Sequence, residues 1–388
     1  MKTLSHYAEA RFIAIITVRP KEWNATAVNT ILKATTLFLI AIFGLTACLD
    51  DSSAGSSPST DQGLVIASWN IERLGHGTNK NYEALGQIGA QFDLIAVQEL
   101  MNREGAVRLH SALEDVTGES WSKIYSEPLG RSTYTEKYAF YWRDSRVDLH
   151  ESTGQAMTYL DPDDLFAREP YSARFVDLTT NDIFVLATVH IVFGSSISDR
   201  TPEIKELSNY VQLLDEVYEG DPTILLGDFN LPPTHQAWSD LKEIGWQPLI
   251  TEGATTLSGT RQDFANLYDN IWVHESFPIT VNGAGIFNAP AFLGWDFQET
   301  RRHVSDHTPV IMMTHAAQLR GSNDAVQLSP APGEERDTTG MIRGNRNSQI
   351  MHRPDCPSYD RVAEHNRTYF ESVEEGERAG YRLAGNCP

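Results

Sequence analysis

Short apolar runs recur along the middle of the chain, and most of them end on a polar or charged residue. Leu64-Val-Ile-Ala-Ser-Trp69 leads into Asn70, and Phe92-Asp-Leu-Ile-Ala-Val97 into Gln98-Glu99. Ile183-Phe-Val-Leu-Ala-Thr-Val189 delivers His190, and Thr223-Ile-Leu-Leu226 stops at Gly227-Asp-Phe-Asn230. Leu267-Tyr-Asp-Asn-Ile-Trp-Val273 carries Asp269 inside it, and Pro309-Val-Ile-Met-Met313 is preceded by Ser305-Asp-His307. Runs of this length between breakers predict buried strands. Tyr138–Trp142 and Ala173–Leu178 alternate like half-buried strands. Helical spacing predicts helices over 81–90, 107–116 and 202–217, the last with Pro202 near its start, where proline is tolerated. The alternation of strand and helix is too irregular for a simple parallel wound sheet, and no repeat of solenoid length is present.

The stretch Thr223–Pro233 concentrates the chemistry. Gly227 frees the backbone where the strand stops, and Pro232-Pro233 prevents the strand from continuing. On an extended chain Asp228 and Asn230 point to the same side. A carboxylate and an amide held together there suit a hard cation or a phosphate, although an Asx turn uses the same two residue types. The other strand ends decide between these. Asn70, Glu99, His190, Asp228, Asn230, Asp269, Asp306 and His307 come from six strands, and unpaired buried charge costs several kcal/mol. Such groups are tolerated together if they converge on a metal and on one another.

Composition narrows the reading. The chain has 388 residues, 41% of them hydrophobic, which supports one large domain plus extras. Its formal net charge of -21 argues against broad capture of nucleic acid by a basic surface. A nucleic-acid enzyme is still compatible, because carboxylates that hold a metal count as negative although the cation offsets them. Near the start, Leu37–Cys48 is an apolar run preceded by Lys33, too short for a comfortable membrane span and of the length of a signal-peptide core. Leu45-Thr-Ala-Cys48 resembles the bacterial lipobox, which implies a signal peptide over 1–48 with lipidation at Cys48; a buried helix or an ordinary secretory signal is the competing reading. The Ser-rich, acidic stretch after it reads as a flexible tether over 49–63. The expected location is extracytoplasmic, either anchored to the bacterial membrane through Cys48 or secreted, where thiols oxidise.

The motifs Ser68-Trp-Asn70, Val97-Gln-Glu99, the strand ending at His190, Gly227-Asp-Phe-Asn230, Tyr268-Asp269 and Ser305-Asp-His307 together resemble the endonuclease/exonuclease/phosphatase superfamily. They span roughly 64–315. The resemblance implies an α/β (α+β) fold: a four-layer sandwich of two mixed sheets flanked by helices, with the site at one sheet edge. Leu129-Gly-Arg-Ser-Thr-Tyr-Thr-Glu-Lys-Tyr-Ala-Phe140 and Phe166-Ala-Arg-Glu-Pro170 resemble the deoxyribonuclease I branch. That likeness implies a monomeric endonuclease acting on DNA. It assigns Asn70, Glu99 and Asp306 to Mg²⁺, with Mn²⁺ or Ca²⁺ as further candidates, through oxygen ligands. His190 and His307 become the proton carriers, charged and oriented by Glu136 and Asp269 respectively. Asp228 and Asn230 would bind the leaving side or a second cation. Arg131 and Tyr134 would meet the minor groove of DNA, and Arg168 the scissile phosphate. The cysteine pair that animal secreted nucleases carry between the positions of His190 and Asp228 is absent.

The segment 316–340, rich in Ala, Ser, Pro and Gly, reads as a linker. The remainder, 341–388, resembles the small metal-binding module of Ada-type DNA-repair proteins, whose four cysteines fall here on His352, Cys356, Ala384 and Cys387. Zn²⁺ and a Cys356–Cys387 disulfide are rival staples for so small a piece. Closed zinc sites need four ligands and only three are present, which favours the disulfide; a loop of this length makes it worth about 3–4 kcal/mol. Two other functions remain compatible with these residues. One is a phosphatase or phosphodiesterase of the same superfamily acting on a lipid or small phosphate ester. The other is a catalytically inactive surface binding module.

Overall fold

A computed structural model describes residues 62–77, 79–150, 156–321, 325–329, 341–362, 366–370, 372–378 and 380–387. The signal peptide expected over 1–48, with Cys48, lies outside them, as does nearly all of the tether.

The first sheet is built around two parallel strands, β1 (Val65–Leu74) and β2 (Leu94–Leu100), joined by helix α1 (Tyr82–Gly89). Helix α2 (Arg103–Thr117) then leads to the antiparallel β3 (Trp121–Tyr125) and β4 (Lys137–Arg143), with β4 against β2. The second sheet repeats the plan. After β5 (Val147–Leu149), β6 (Met157–Thr158) and β7 (Tyr171–Asp177) comes a second parallel pair, β8 (Ile183–His190) and β9 (Thr223–Asp228). Helix α3 (Ile197–Val217) makes that crossover. Helix α4 (Ser239–Glu243), β10 (Trp246–Pro248) and β11 (Asp269–His274) close this half, with β11 antiparallel to β9. The chain then returns to the first sheet through β12 (Val281–Phe287), short helices α5 (Ala289–Leu293) and α6 (Phe297–His303), and β13 (Val310–Thr314) beside β1.

The two sheets pack face to face. Ile66, Leu94, Ala96 and Phe140 from one meet Phe175, Leu186, Ile224 and Ile271 from the other. The outer face of the first sheet is covered by Leu85 and Ile88 of α1 and Leu109 and Leu113 of α2. That of the second is covered by Ile204, Leu207, Val211 and Leu214 of α3. These are four layers, as expected. Polar links also cross between the sheets: buried Gln98 donates from Nε2 to Ser68 Oγ at 3.1 Å and to Thr188 Oγ1 of the facing sheet at 2.8 Å.

Two expectations shift at the element level. The crossover helix begins at Ile197, five residues before the expected Pro202, because the Asp199 carboxylate accepts from Ser195 N and Ser196 N and closes the first turn ahead of the proline. The linker expected over 316–340 does not begin at 316. Ala317, Leu319 and Ala325 are buried, and β14 (Val326–Leu328) pairs with β12 and extends the first sheet. Spaced alanines and a leucine pack under the sheet where composition alone suggested a tether.

The C-terminal module is a separate small sheet of β15 (Ile342–Asn345), β16 (Ile350–His352), β17 (Arg367–Phe370) and β18 (Arg382–Leu383), with helix α7 (Val373–Arg378) against it. Ile342, Met351, Phe370 and Tyr381 form its core. Cys356 and Cys387 are joined by a disulfide, their Cα atoms 4.5 Å apart. This is the staple favoured over zinc from the sequence: both sulfurs are committed to each other, and among the described residues buried His352 alone stands with them, short of the four ligands of a closed zinc site.

Candidate active site

Strand pairing assembles the centre of the site. In the second sheet His190, Asp228 and Asp269 stand in one row: His190 pairs with Asp228 across the parallel strands, and Asp228 with Asp269 across the antiparallel ones. Gly227 makes this close approach possible. Its φ is +151°, and a Cβ added there would lie 2.0 Å from the Val189 carbonyl oxygen. Asp228 and Asn230 meet through a turn, not through strand alternation. The strand ends at Asp228, Asn230 takes φ +50°, and Asn230 N donates to Asp228 Oδ1 at 2.9 Å. The Asx turn and the functional cluster are thus one structure.

Across from this row, the first sheet supplies Asn70, Glu99, Asp306 and His307. Glu99 sits at a ladder irregularity in β2 with φ +59°. Asn70 donates from Nδ2 to Glu99 Oε1 at 3.2 Å and to Asp228 Oδ2 at 3.1 Å, which ties the two sheets together.

Two imidazole–carboxylate pairs converge on Asp228. His190 Nδ1 lies 2.6 Å from Glu136 Oε1, and its Nε2 is 3.5 Å from Asp228 Oδ2. His307 Nδ1 lies 2.7 Å from Asp269 Oδ2, and its Nε2 is 3.6 Å from the same Asp228 oxygen. All five side chains are buried. Burial lowers the pKa of His307, but Asp269 and Asp228 together hold it well above the usual histidine value. For His190, burial and Arg168 act downward, while Glu136 and Asp228 prevail and raise it. Burial pushes Glu136 up, yet His190 and Arg168 bring it below the usual carboxylate value. Asp228 is likewise held low, by His307 and His190 against its burial.

Arg168 lies beside the His190 pair. Its Nε stands 3.3 Å from Glu136 Oε1, and Nε and Nη2 both donate to the His190 carbonyl, at 3.1 and 2.9 Å. Tyr134, 41% exposed, reaches Glu136 Oε2 at 3.4 Å, and burial with Glu99 and Glu136 nearby pushes its phenol up to about 12. Arg131 is not in the cluster. It is exposed and pairs with Asp164 at 3.1 Å. His352, Cys356 and Cys387 form their own group in the C-terminal module.

Several residues that build the site escaped the sequence reading. Tyr138 accepts from His190 N at 2.9 Å, and Ser305 joins the strands by donating to Asn70 O at 2.7 Å while accepting from His307 N at 3.1 Å. Thr255 Oγ1 accepts from Asp269 N at 3.0 Å. Buried Glu203 on α3 accepts from Ala167 N and Val192 N, both at 2.9 Å, and so fixes the segments that carry Arg168 and His190. Glu203 lies four residues before Leu207 on the buried stripe of its helix, and an acid on that stripe was the available signal.

The residues present fit a divalent cation. Asn70 Oδ1 is buried and has no hydrogen-bond partner among the described residues. With Glu99 and Asp306 it offers hard oxygen donors. Glu99 also stands in a group with Glu136 and His190 whose ligand atoms lie within 4.8 Å of one another.

Two mixed sheets with this row of groups at their edge define the class. The model of the Endonuclease/Exonuclease/phosphatase family matches residues 67–307, and the chain belongs to that family. Within it the relatives are of the deoxyribonuclease I-like branch. A protein named Deoxyribonuclease from Thioalkalivibrio sp. (strain K90mix) is 46% identical over 294 residues, covering 74% of this chain and 78% of its own. Deoxyribonuclease-1 of Sus scrofa is 28% identical over 272 residues, covering 64% and 90%. Among solved structures, an endonuclease/exonuclease/phosphatase family protein from Bacteroides thetaiotaomicron aligns with a TM-score of 0.47 at 18% identity, over 65% of this chain and 97% of that one.

Proposed function

We propose that the protein is an extracytoplasmic, divalent-metal-dependent endonuclease that hydrolyses phosphodiester bonds of DNA. The observation that carries this reading is the meeting of His190–Glu136 and His307–Asp269 on one oxygen of Asp228, beside Asn70 and Glu99. The names of the relatives support DNA as the substrate. Asn70, Glu99 and Asp306 would hold Mg²⁺, which when bound supplies Lewis-acid polarisation of a phosphoryl oxygen.

The chain's own groups do the rest. Each imidazole commits Nδ1 to a carboxylate, which fixes its tautomer and turns Nε2 toward the shared space around Asp228. One histidine takes the proton of the attacking water and the other returns a proton to the leaving oxygen. The His307 imidazolium and Arg168 place positive charge where a phosphodiester gains negative charge in its transition state. Asp228, held ionised by both histidines, keeps the two rings in register with each other.

Purified mature protein incubated with supercoiled plasmid should nick it with Mg²⁺ and leave it intact with excess chelator. Cleavage of a lipid or small phosphate ester with the plasmid untouched would assign it instead to the phosphatases of the family. Binding of DNA without hydrolysis of any of these would make it an inactive module. Anchoring through Cys48 is tested by metabolic labelling with a radiolabelled fatty acid: label in the wild type and none in Cys48→Ser is the expected pair, and label in neither would remove the anchor.

A further inference from the structure

Beside the catalytic row stands an exposed aromatic that the chemistry does not use. Phe193, three residues past His190, is 56% exposed. An exposed apolar side chain standing alone is ordinary on a protein surface and is free to turn. This ring is held in place instead. The buried Arg200 guanidinium lies 4.5 Å from its centroid and 5.7 Å from that of Tyr268, and the two rings are 6.5 Å apart. Arg200 Nε donates to Phe193 O at 2.8 Å, while Nη1 donates to Asn230 O at 2.6 Å.

The same arginine therefore ties the ring to the turn that carries Asp228. Asn230 completes the tie, donating from Nδ2 to Ile191 O at 2.9 Å. Behind the ring the loop is closed as well: the Asp199 carboxylate accepts from Ser195 N at 2.7 Å and Ser195 Oγ at 2.9 Å. Phe193 follows β8, Asn230 follows β9 and Tyr268 precedes β11. The ring thus borders the site on the side of the three strands that present His190, Asp228 and Asp269.

We infer that Phe193, backed by Arg200 and edged by Tyr268, is a stacking platform for an unpaired base next to the scissile phosphate on the Asn230 side, which fits a single-stranded stretch of DNA. A preset aromatic face binds bases without reading their sequence, because every base has a π-face. It also gives a strongly acidic protein a way to hold DNA other than a basic surface. The platform rests on the nuclease reading above and deepens it.

The test compares wild type, Phe193→Ala, Phe193→Leu and Phe193→Trp as full-length mature proteins with Mg²⁺. The substrates are a single-stranded oligonucleotide and a strand of the same length built from stable abasic residues. On intact DNA, Phe193→Ala should raise KM about tenfold with kcat little changed, Phe193→Leu should resemble it, and Phe193→Trp should match or better the wild type. On the abasic substrate the four proteins should converge. An unchanged KM for Phe193→Ala, full rescue by Leu, or an equal penalty with and without bases would overturn the platform. If the wild type nicks plasmid but cleaves neither single strand, the platform alone falls; if it cleaves none of the three, the nuclease reading falls and the platform with it.

Discussion

His190 and His307 bind their carboxylates at nearly the same distance and share one oxygen of Asp228, yet their surroundings differ in charge. The His190 side contains a cation: Arg168 touches Glu136 and holds the His190 carbonyl, so the group is close to balanced. The His307 side brings three acids within reach, Asp269, Asp228 and, at 4.0 Å, Asp306, while its arginine, Arg301, pairs with the outermost of them, Asp306, at 3.3 Å. Two pairs with matching geometry can therefore hold their protons with different firmness. His307 is held well above the usual histidine value by Asp269 and Asp228, whereas His190 is raised by Glu136 and Asp228 against both burial and Arg168.

This contrast can be attacked by mutation. The largest effect is expected for His307→Ala, which should lower DNA cleavage by about a thousandfold or more while circular dichroism still reports a folded protein. Retained turnover would remove the proton-transfer role of that side. Glu136→Gln should cost about a hundredfold and shift the pH–rate limb belonging to His190 toward acid. With the carboxylate gone, burial and Arg168 act on that ring opposed only by Asp228, so its pKa falls whether it serves as acid or base. Asp269→Asn should shift its limb less, because Asp228 and Asp306 still face His307; equal shifts in the two variants would erase the distinction drawn here.

Smaller effects probe the edges of the His190 side. Tyr134→Ala should weaken DNA affinity by about tenfold and leave kcat nearly as it was, since the phenol contacts Glu136 only at 3.4 Å. A drop in kcat with unaltered affinity would place Tyr134 in the chemistry instead. The smallest effect is on stability. Glu136, with its pKa lowered, contributes stability above its unfolded value near 4.5 and loses it as pH falls through its folded value. His190, with its pKa raised, contributes fully below 6.5 and loses the contribution as pH rises through its folded value. The Tm gap between wild type and Glu136→Gln should therefore be widest between about pH 4.5 and 6.5. A gap that does not vary with pH would mean the pair acts by shape alone.

Much of this was legible in the chain because strands announce their ends. Asn70, Glu99, His190, Asp228 and Asp269 each interrupt or close an apolar run, and runs of that kind have few ways to pack. The layer order and the pairing of the sheets came from resemblance, since periodicity cannot say which strand lies beside which. Tyr138, Ser305 and Thr255 were hidden because they act by hydrogen bonds to backbone, and any small polar residue in a strand or turn looks the same in sequence. Arg131 differs from its neighbour in the motif: Glu136 is fixed by a buried partner, whereas the exposed Arg131 guanidinium pairs with Asp164. The stretch from Ala316 misled through composition, because alanine serves equally well in a tether and under a crowded sheet.

Gly227 carries a last consequence. At that position a lone hydrogen faces the neighbouring strand's carbonyl, so the gap between β8 and β9 is set by the smallest side group chemistry offers. A methyl group there would have to wedge the strands apart next to the row that pairs His190 with Asp228. The spacing of His190 from Asp228 is in that sense machined into the backbone, and Gly227→Ala would widen the tool at its working edge before it unfolded the protein.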